Sequence, residues 1–124
     1  MLDAGSGTGL AGKVLYEYGY TNLVAIDISE EMLYKARQKN IYTELYKQVL
    51  GETLDFPTNF FDAIICVGVF TYSHAPNSAF DELIRITKPG GYIIFTEKLR
   101  YKASPFMEKE ENFFLVNPLF YKKR

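Results

Sequence analysis

The chain has 124 residues, 14 Lys+Arg against 15 Asp+Glu, one His, one Cys and no Trp, giving a formal net charge of −1. That length fits a single domain at roughly 100–200 residues per domain, and 48% apolar residues with 10 Tyr and 10 Phe exclude global disorder. Near-neutral charge argues against a dedicated nucleic-acid or anionic-membrane binder, and one cysteine allows neither an internal disulfide nor a thiolate metal site of its own.

No apolar run reaches the ~20 residues of a spanning helix, and Met1 to Gly5 lacks the features of a secretory signal. The expectation is a soluble, cytoplasmic protein. Along the chain, Met1 to Ala4 reads as the tail of a strand entering a glycine turn. Leu10, Val14, Leu15 and Tyr18 fall on one helical face, with Gly19 as the stop. Leu23 to Ile28 reads as a buried strand. Ser29 is a good N-cap, with Glu30 and Glu31 in the first turn of a helix whose apolar side is Met32, Leu33 and Ala36, stopped near Asn40.

Ile41–Val49 is a weaker candidate for a third strand, and Gly51 to Asn59 reads as loop. Phe61 to Phe70 predicts a strand buried on both faces; Phe80, Leu83 and Ile84 mark another helix, stopped by Lys88-Pro89-Gly90-Gly91 before a fifth strand at Tyr92 to Thr96. Alternating strands and helices predict an α/β, doubly wound, Rossmann-like fold: a mainly parallel sheet of about five strands with helices on both faces. Such sheets bind ligands at the carboxyl ends of their strands, here just after residues 4, 27, 50 and 67.

Asp3-Ala4-Gly5-Ser6-Gly7-Thr8-Gly9 sets three glycines at alternate positions between strand and helix. Glycines there let a ligand approach the main chain, and the helix N-terminus offers free N–H groups to an anionic group. A ligand-free tight turn is the bland alternative. Gly7-Thr8-Gly9-Leu10-Ala11-Gly12 also spells the dinucleotide fingerprint, which keeps a nicotinamide-binding domain open as a second alternative; a P-loop is excluded because no Gly-Lys-Ser/Thr follows. Asp27 closes the second apolar run, where a carboxylate can accept two hydrogen bonds from a ribose diol; a helix-capping role is its alternative.

The D-x-G-x-G-x-G run from Asp3 to Gly9 resembles the first motif of class I S-adenosylmethionine-dependent methyltransferases. Leu50-Gly51-Glu52, Phe61-Asp62-Ala63, Val67-Gly68-Val69-Phe70 and Ile86-Thr87-Lys88-Pro89-Gly90-Gly91 follow in the order of that family, and Val67-Gly68 with His74-Ala75-Pro76 is similar to the methyltransferase-like protein 27 group. The resemblance covers about residues 2–97. It implies S-adenosyl-L-methionine as cofactor and methyl transfer to an acceptor, a small molecule or a protein, that the sequence does not name.

By the same resemblance, Asp3, Ala4, Gly5, Ser6 and Gly7 receive the methionine end, Asp27 the ribose, and Ile28 packs on adenine. Leu50, Gly51 and Glu52 form the adenine turn, with Leu50 standing where relatives often carry an acid and Glu52 as its substitute. Val67 and Gly68 line the methyl-transfer position. His74 is the candidate base or substrate contact, with Thr71 and Tyr72 behind it. Cys66 reads as core, Asp62 as a strand start, and Tyr16, Tyr18, Tyr20, Tyr42 and Tyr46 as packing or snorkelling surface.

Residues 1–98 are thus expected to form the cofactor-binding core and 99–124 a C-terminal extension. Glu108 to Glu111 reads there as a short helix, and Phe113 to Val116 as an edge strand or docking segment. Relative to the family the chain looks shortened at both ends. A catalytically weak product acting through cofactor binding, or through a partner chain over an exposed sheet face, is therefore the alternative to an active enzyme.

Overall fold

Three residues are enough for the first strand, β1 (Leu2–Ala4), because it is hydrogen-bonded on both sides. It pairs in parallel with β2 (Val24–Asp27) through Leu2↔Val24 to Ala4↔Ile26, and with β4 (Phe61–Thr71) through Leu2↔Ile64 and Asp3↔Ile65. The computed structural model of the chain describes residues 1–71, 77–99 and 110–116. With β3 (Glu44–Lys47), β5 (Thr87–Leu99) and β6 (Glu110–Val116), the strands form one sheet in the order β3-β2-β1-β4-β5-β6. The first five are parallel, as expected for a Rossmann-like sheet, and β6 pairs antiparallel with β5 from Ile93↔Val116 to Leu99↔Glu110. Glu110 and Glu111 therefore belong to this edge strand and not to the helix expected around them.

Strand side chains alternate between faces. Leu2, Ala4, Ile26, Ile64, Cys66 and Ile93 pack in one core with Leu83 and Ile86 of α3 (Asn77–Ile86) and with Leu54. The buried stripe of α3 is Ala79, Leu83 and Ile86; Phe80 and Ile84 are only half-buried, and Phe80 meets Phe95 edge-on with ring centroids 5.4 Å apart. By the same alternation Asp3, Ala25 and Ile65, mutual neighbours across the three strands, occupy the other face.

Helix α2 (Glu30–Arg37) forms as its sequence signals require. Ser29 is extended and its hydroxyl accepts from the Met32 N–H at 3.2 Å, Leu33 and Ala36 are buried, and Asn40 ends the segment at φ 55°. Met32 turns partly outward. Helix α1 (Leu10–Glu17) departs from its pattern. Of the expected inner face, Leu10, Val14 and Tyr18 are 70%, 52% and 79% exposed and Leu15 is half-buried, while the helix's buried residue is Gly12. The side of α1 that carries Gly12 is covered by the ring of Tyr42, which occupies the space a side chain there would need.

Two strands also differ from expectation. β5 begins five residues early, at Thr87, because Lys88–Gly91 is a bulge within it: Phe61 pairs with Thr87 and Ala63 with Tyr92. Lys88 closes this bulge on Asp62 with a 3.1 Å ion pair, so Asp62 marks a strand start as expected. Between Phe61 and Val67, where its burial is described, β4 is buried at Phe61 and at Ile64 to Cys66, with Asp62 and Val67 exposed. No helix among the described residues is long and apolar enough to cross a membrane.

Candidate functional site

The carboxyl ends of β1, β2 and β3 enclose a cavity of about 210 Å³ lined by Gly5, Ile26, Asp27, Ile28, Gln48, Val49 and Leu50. Four residues singled out in the sequence, Gly5, Asp27, Ile28 and Leu50, thus meet in one place. Ile28 is 62% exposed, leaving an apolar face open beside the acid.

The glycine loop needs its glycines for backbone reasons. Gly5, Gly7 and Gly9 have φ of 72°, 57° and 94°, where a side chain would be strained. A Cβ on Gly7 would meet nothing within 4 Å, so the loop's backbone faces open space there. The loop is tied to β2 by Gly5 and Ser6 N–H groups donating to the Ile26 carbonyl at 2.9 and 3.0 Å. Asp27 holds it a second time. Its Oδ2 accepts from Gly7 N–H at 2.8 Å, while Oδ1 accepts from Ser29 N–H at 2.9 Å, so the same carboxylate faces the cavity and joins loop to helix start.

Asp3 lies behind this loop, not on the cavity wall, and is 1% exposed. A buried carboxylate requires a partner, and Tyr42 supplies one: its hydroxyl donates to Asp3 Oδ2 at 2.5 Å. Burial pushes the Asp3 carboxyl up to about 6, the Tyr42 hydrogen bond works against that, and the nearby Asp27 charge adds to it. Burial and the Asp3 charge hold the Tyr42 phenol above its ordinary value, and burial raises the Cys66 thiol. Cys66 is core, as expected.

Tyr42 is no surface packing residue. It was invisible in the sequence because its partner lies 39 positions away. Gln48 and Val49 were missed as well, the adenine turn having been placed at Leu50 to Glu52. The signal that would have found them is the rule that sites follow strand ends, since β3 stops at Lys47.

Gly51 and Glu52 do not line the cavity; Glu52 is exposed, and its N–H donates to the Val49 carbonyl at 3.2 Å. Ala4 and Ser6 are buried; besides its N–H bond to β2, the Ser6 carbonyl accepts from the Gly9 N–H at 3.0 Å and its hydroxyl donates to the Gly7 carbonyl at 3.4 Å. Val67 is partly exposed and Gly68 follows it, both inside β4, which runs past the expected strand end after residue 67 to Thr71. His74 and Tyr72 lie outside the described residues. Among the described residues, no group of three or more His, Cys, Asp or Glu could hold a metal ion.

The likeness to known proteins agrees with this geometry. Residues 2–95 match the family model described as a methyltransferase domain. Human methyltransferase-like protein 27 is 36% identical over 110 residues, covering 84% of this chain and 44% of that protein. Malonyl-[acyl-carrier protein] O-methyltransferase of Buchnera aphidicola is 35% identical over 96 residues, covering 77% and 38%. The chain spans less than half the length of these two relatives.

Among solved structures, a Haloferax volcanii methyltransferase in complex with its activator Trm112 superposes with a TM-score of 0.69 at 26% identity, covering 77% of this chain and 43% of that one. An S-adenosylmethionine-dependent methyltransferase from Mesorhizobium loti shares the fold at a TM-score of 0.69 and 20% identity, over 96% and 58%. A glycine loop strapped to an acid at the end of β2, carried on this strand order and matched across residues 2–95, places the chain in the methyltransferase domain family.

Proposed function

We propose that this domain binds S-adenosyl-L-methionine and directs its methyl group to an acceptor, a small molecule or a protein. The observation that carries the reading is Asp27: one carboxylate at the end of β2 faces a cavity shared with Gly5, Ile28 and Leu50 and also straps down the glycine loop. The residues fit such a cofactor. Asp27 offers two acceptor oxygens to a ribose diol, Ile28 with Val49 and Leu50 offers apolar surface to adenine, and the open backbone at Gly7 leaves room for the methionine end.

When bound, the cofactor supplies a methyl group on a sulfonium that is already activated, so much of the acceleration comes from positioning. The chain's part is to hold and orient. Asp3 to Gly7 would fix the methionine end, Asp27 the sugar, and Val67 with Gly68 would border the path of transfer. The Gln48 side-chain oxygen accepts from the Asp55 N–H at 2.9 Å, which leaves its amide NH2 to donate to a ring nitrogen of adenine. His74 is the candidate proton acceptor for an amine or hydroxyl substrate.

A cytoplasmic setting belongs to the same reading and is supported by the free, buried Cys66 thiol. So does a partner chain: Leu10, Val14 and Tyr18 are exposed on α1, and the Haloferax methyltransferase of this fold has an activator partner.

Isothermal titration of the 124-residue chain with S-adenosylmethionine and its demethylated product tests the reading. Asp27→Ala is expected to weaken binding at least about tenfold, or about 1.4 kcal/mol. No detectable heat with the wild-type chain at millimolar ligand, or an unchanged Kd in the variant, overturns it. Screening metabolites and lysate proteins with labelled cofactor would identify the acceptor class.

A further inference from the structure

We propose that Tyr42 is a positioning residue of the cofactor site, holding the Asp3 carboxylate with its hydroxyl and the glycine loop with its ring, so that an ionised Asp3 is kept beneath the loop for the cationic end of the ligand. This rests on the cofactor reading above and adds to it a residue from outside the glycine motif.

Three contacts carry the inference. The Tyr42 hydroxyl donates to Asp3 Oδ2 at 2.5 Å. Its ring occupies the volume that side chains at Gly9 and Gly12 would need: a Cβ on Gly12 would lie 2.1 Å from the Tyr42 oxygen and 2.6 Å from Cζ, and one on Gly9 would lie 3.2 Å from Cε2. Gly12, the last glycine of the apparent dinucleotide fingerprint, is therefore glycine because of Tyr42 and not because of a ligand. Three residues before Tyr42, the Lys39 ammonium donates to the Thr8 carbonyl at 2.6 Å. The segment leaving α2 thus grips the loop from one side while Ile26 and Asp27 of β2 grip it from the other.

The charge at Asp3 follows from its neighbours on each packed element. Asp27 at the end of β2 opposes its ionisation, Cys66 on β4 holds its proton and adds no charge, and the Tyr42 hydrogen bond favours ionisation. Lys39 places its cation on the loop itself. With the hydroxyl present the carboxyl titrates at about 6; without it, burial and Asp27 act unopposed and the proton is held to higher pH. A protonated Asp3 offers no negative potential to an ammonium.

The test is the pH profile of binding to the full chain. S-adenosylhomocysteine carries the ammonium, whereas 5′-methylthioadenosine lacks the amino-acid end. For the first ligand, wild-type affinity should fall as pH drops through Asp3's titration. Tyr42→Phe should weaken binding about fivefold at about pH 6.5 and less than about twofold at about pH 8.5, because its titration lies higher. The second ligand should show no such displacement. Loss of packing alone would lower affinity evenly across pH. Gly12→Ala, which forces the Tyr42 ring away without touching Asp3, should reproduce the displaced profile.

A direct titration of the Asp3 carboxyl carbon by NMR needs no ligand, and should give a midpoint near 6 in the wild-type chain and a higher one in Tyr42→Phe. An Asp3 midpoint that does not rise in Tyr42→Phe, or superimposable binding profiles for wild type and Tyr42→Phe, overturns the role of Tyr42 while leaving the cofactor reading intact. No binding of S-adenosylhomocysteine to the wild-type chain at any pH overturns both.

Discussion

Gly91→Ala is expected to destabilise the domain by about 3 kcal/mol, near the upper end of what overpacking a buried site costs. A Cβ there would lie 2.5 Å from the Asp62 carbonyl oxygen, 2.9 Å from Thr87 Cγ2 and 3.0 Å from the Lys88 carbonyl oxygen. Two of those three are backbone atoms in paired strands, which cannot rotate away as a side chain could. The adjacent Gly90 is the control. Its φ is +86° but its Cβ position is open, so Gly90→Ala carries only the conformational penalty, about 1 kcal/mol. Urea denaturation of both variants measures the difference. Equal midpoints would mean that the bulge of β5 relaxes freely and that close approach to β4 is not what demands a glycine at position 91.

Asp3→Asn is expected to make the domain more stable and a worse ligand binder at the same time. The folded-state carboxyl titrates at about 6 against an ordinary 3.8, raised mainly by burial. A raised carboxyl means the native state holds the proton more tightly than the unfolded chain. Its contribution is therefore fully present below 3.8 and is lost as pH rises through 6, leaving a cost of about 3 kcal/mol at neutral pH. Asparagine carries no charge, and its oxygen can still accept from the Tyr42 hydroxyl. The variant should gain about 2 kcal/mol near neutrality, with the gain vanishing by about pH 4. Binding of S-adenosylhomocysteine should weaken about tenfold or more. Denaturation across pH together with titration calorimetry reads both effects. A destabilised variant at neutral pH would show that the ionised carboxylate is not a burden on the fold.

The features legible in the sequence were those whose cause is local. The three alternate glycines take positive φ between a strand and a helix, Ser29 caps the helix that begins one residue later, and Asp27 ends β2 beside the loop that leaves the adjacent parallel β1, where it reaches Gly7. The family motifs extended that reading along the chain to about residue 97, though not to the order of the strands within the sheet.

What stayed hidden depended on residues far apart. The apolar stripe of α1 has helical spacing, yet the helix turns its Gly12 inward because Tyr42, 30 positions later, fills the gap. The Lys88–Gly91 run reads as a helix stop because its glycines and proline are poor helix formers. Only the register of β4 shows that it is a bulge inside a strand. Gln48 and Val49 drew no notice as cavity residues because β3 is a short edge strand with weak alternation.

The central position of β1 governs when the site can exist during folding. Leu2 and Asp3 are the second and third residues of the chain, yet they need Val24 and Ala25 on one side and Ile64 and Ile65 on the other before their backbone is paired. Loops of more than twenty and about sixty residues must close first, and such distant closures come late. The glycine loop therefore precedes its scaffold in the sequence and acquires its shape only after β4 has been added. Until Ile64 and Ile65 are in place, the glycine motif is whole in sequence but lacks the strand that fixes its β1 anchor from the far side.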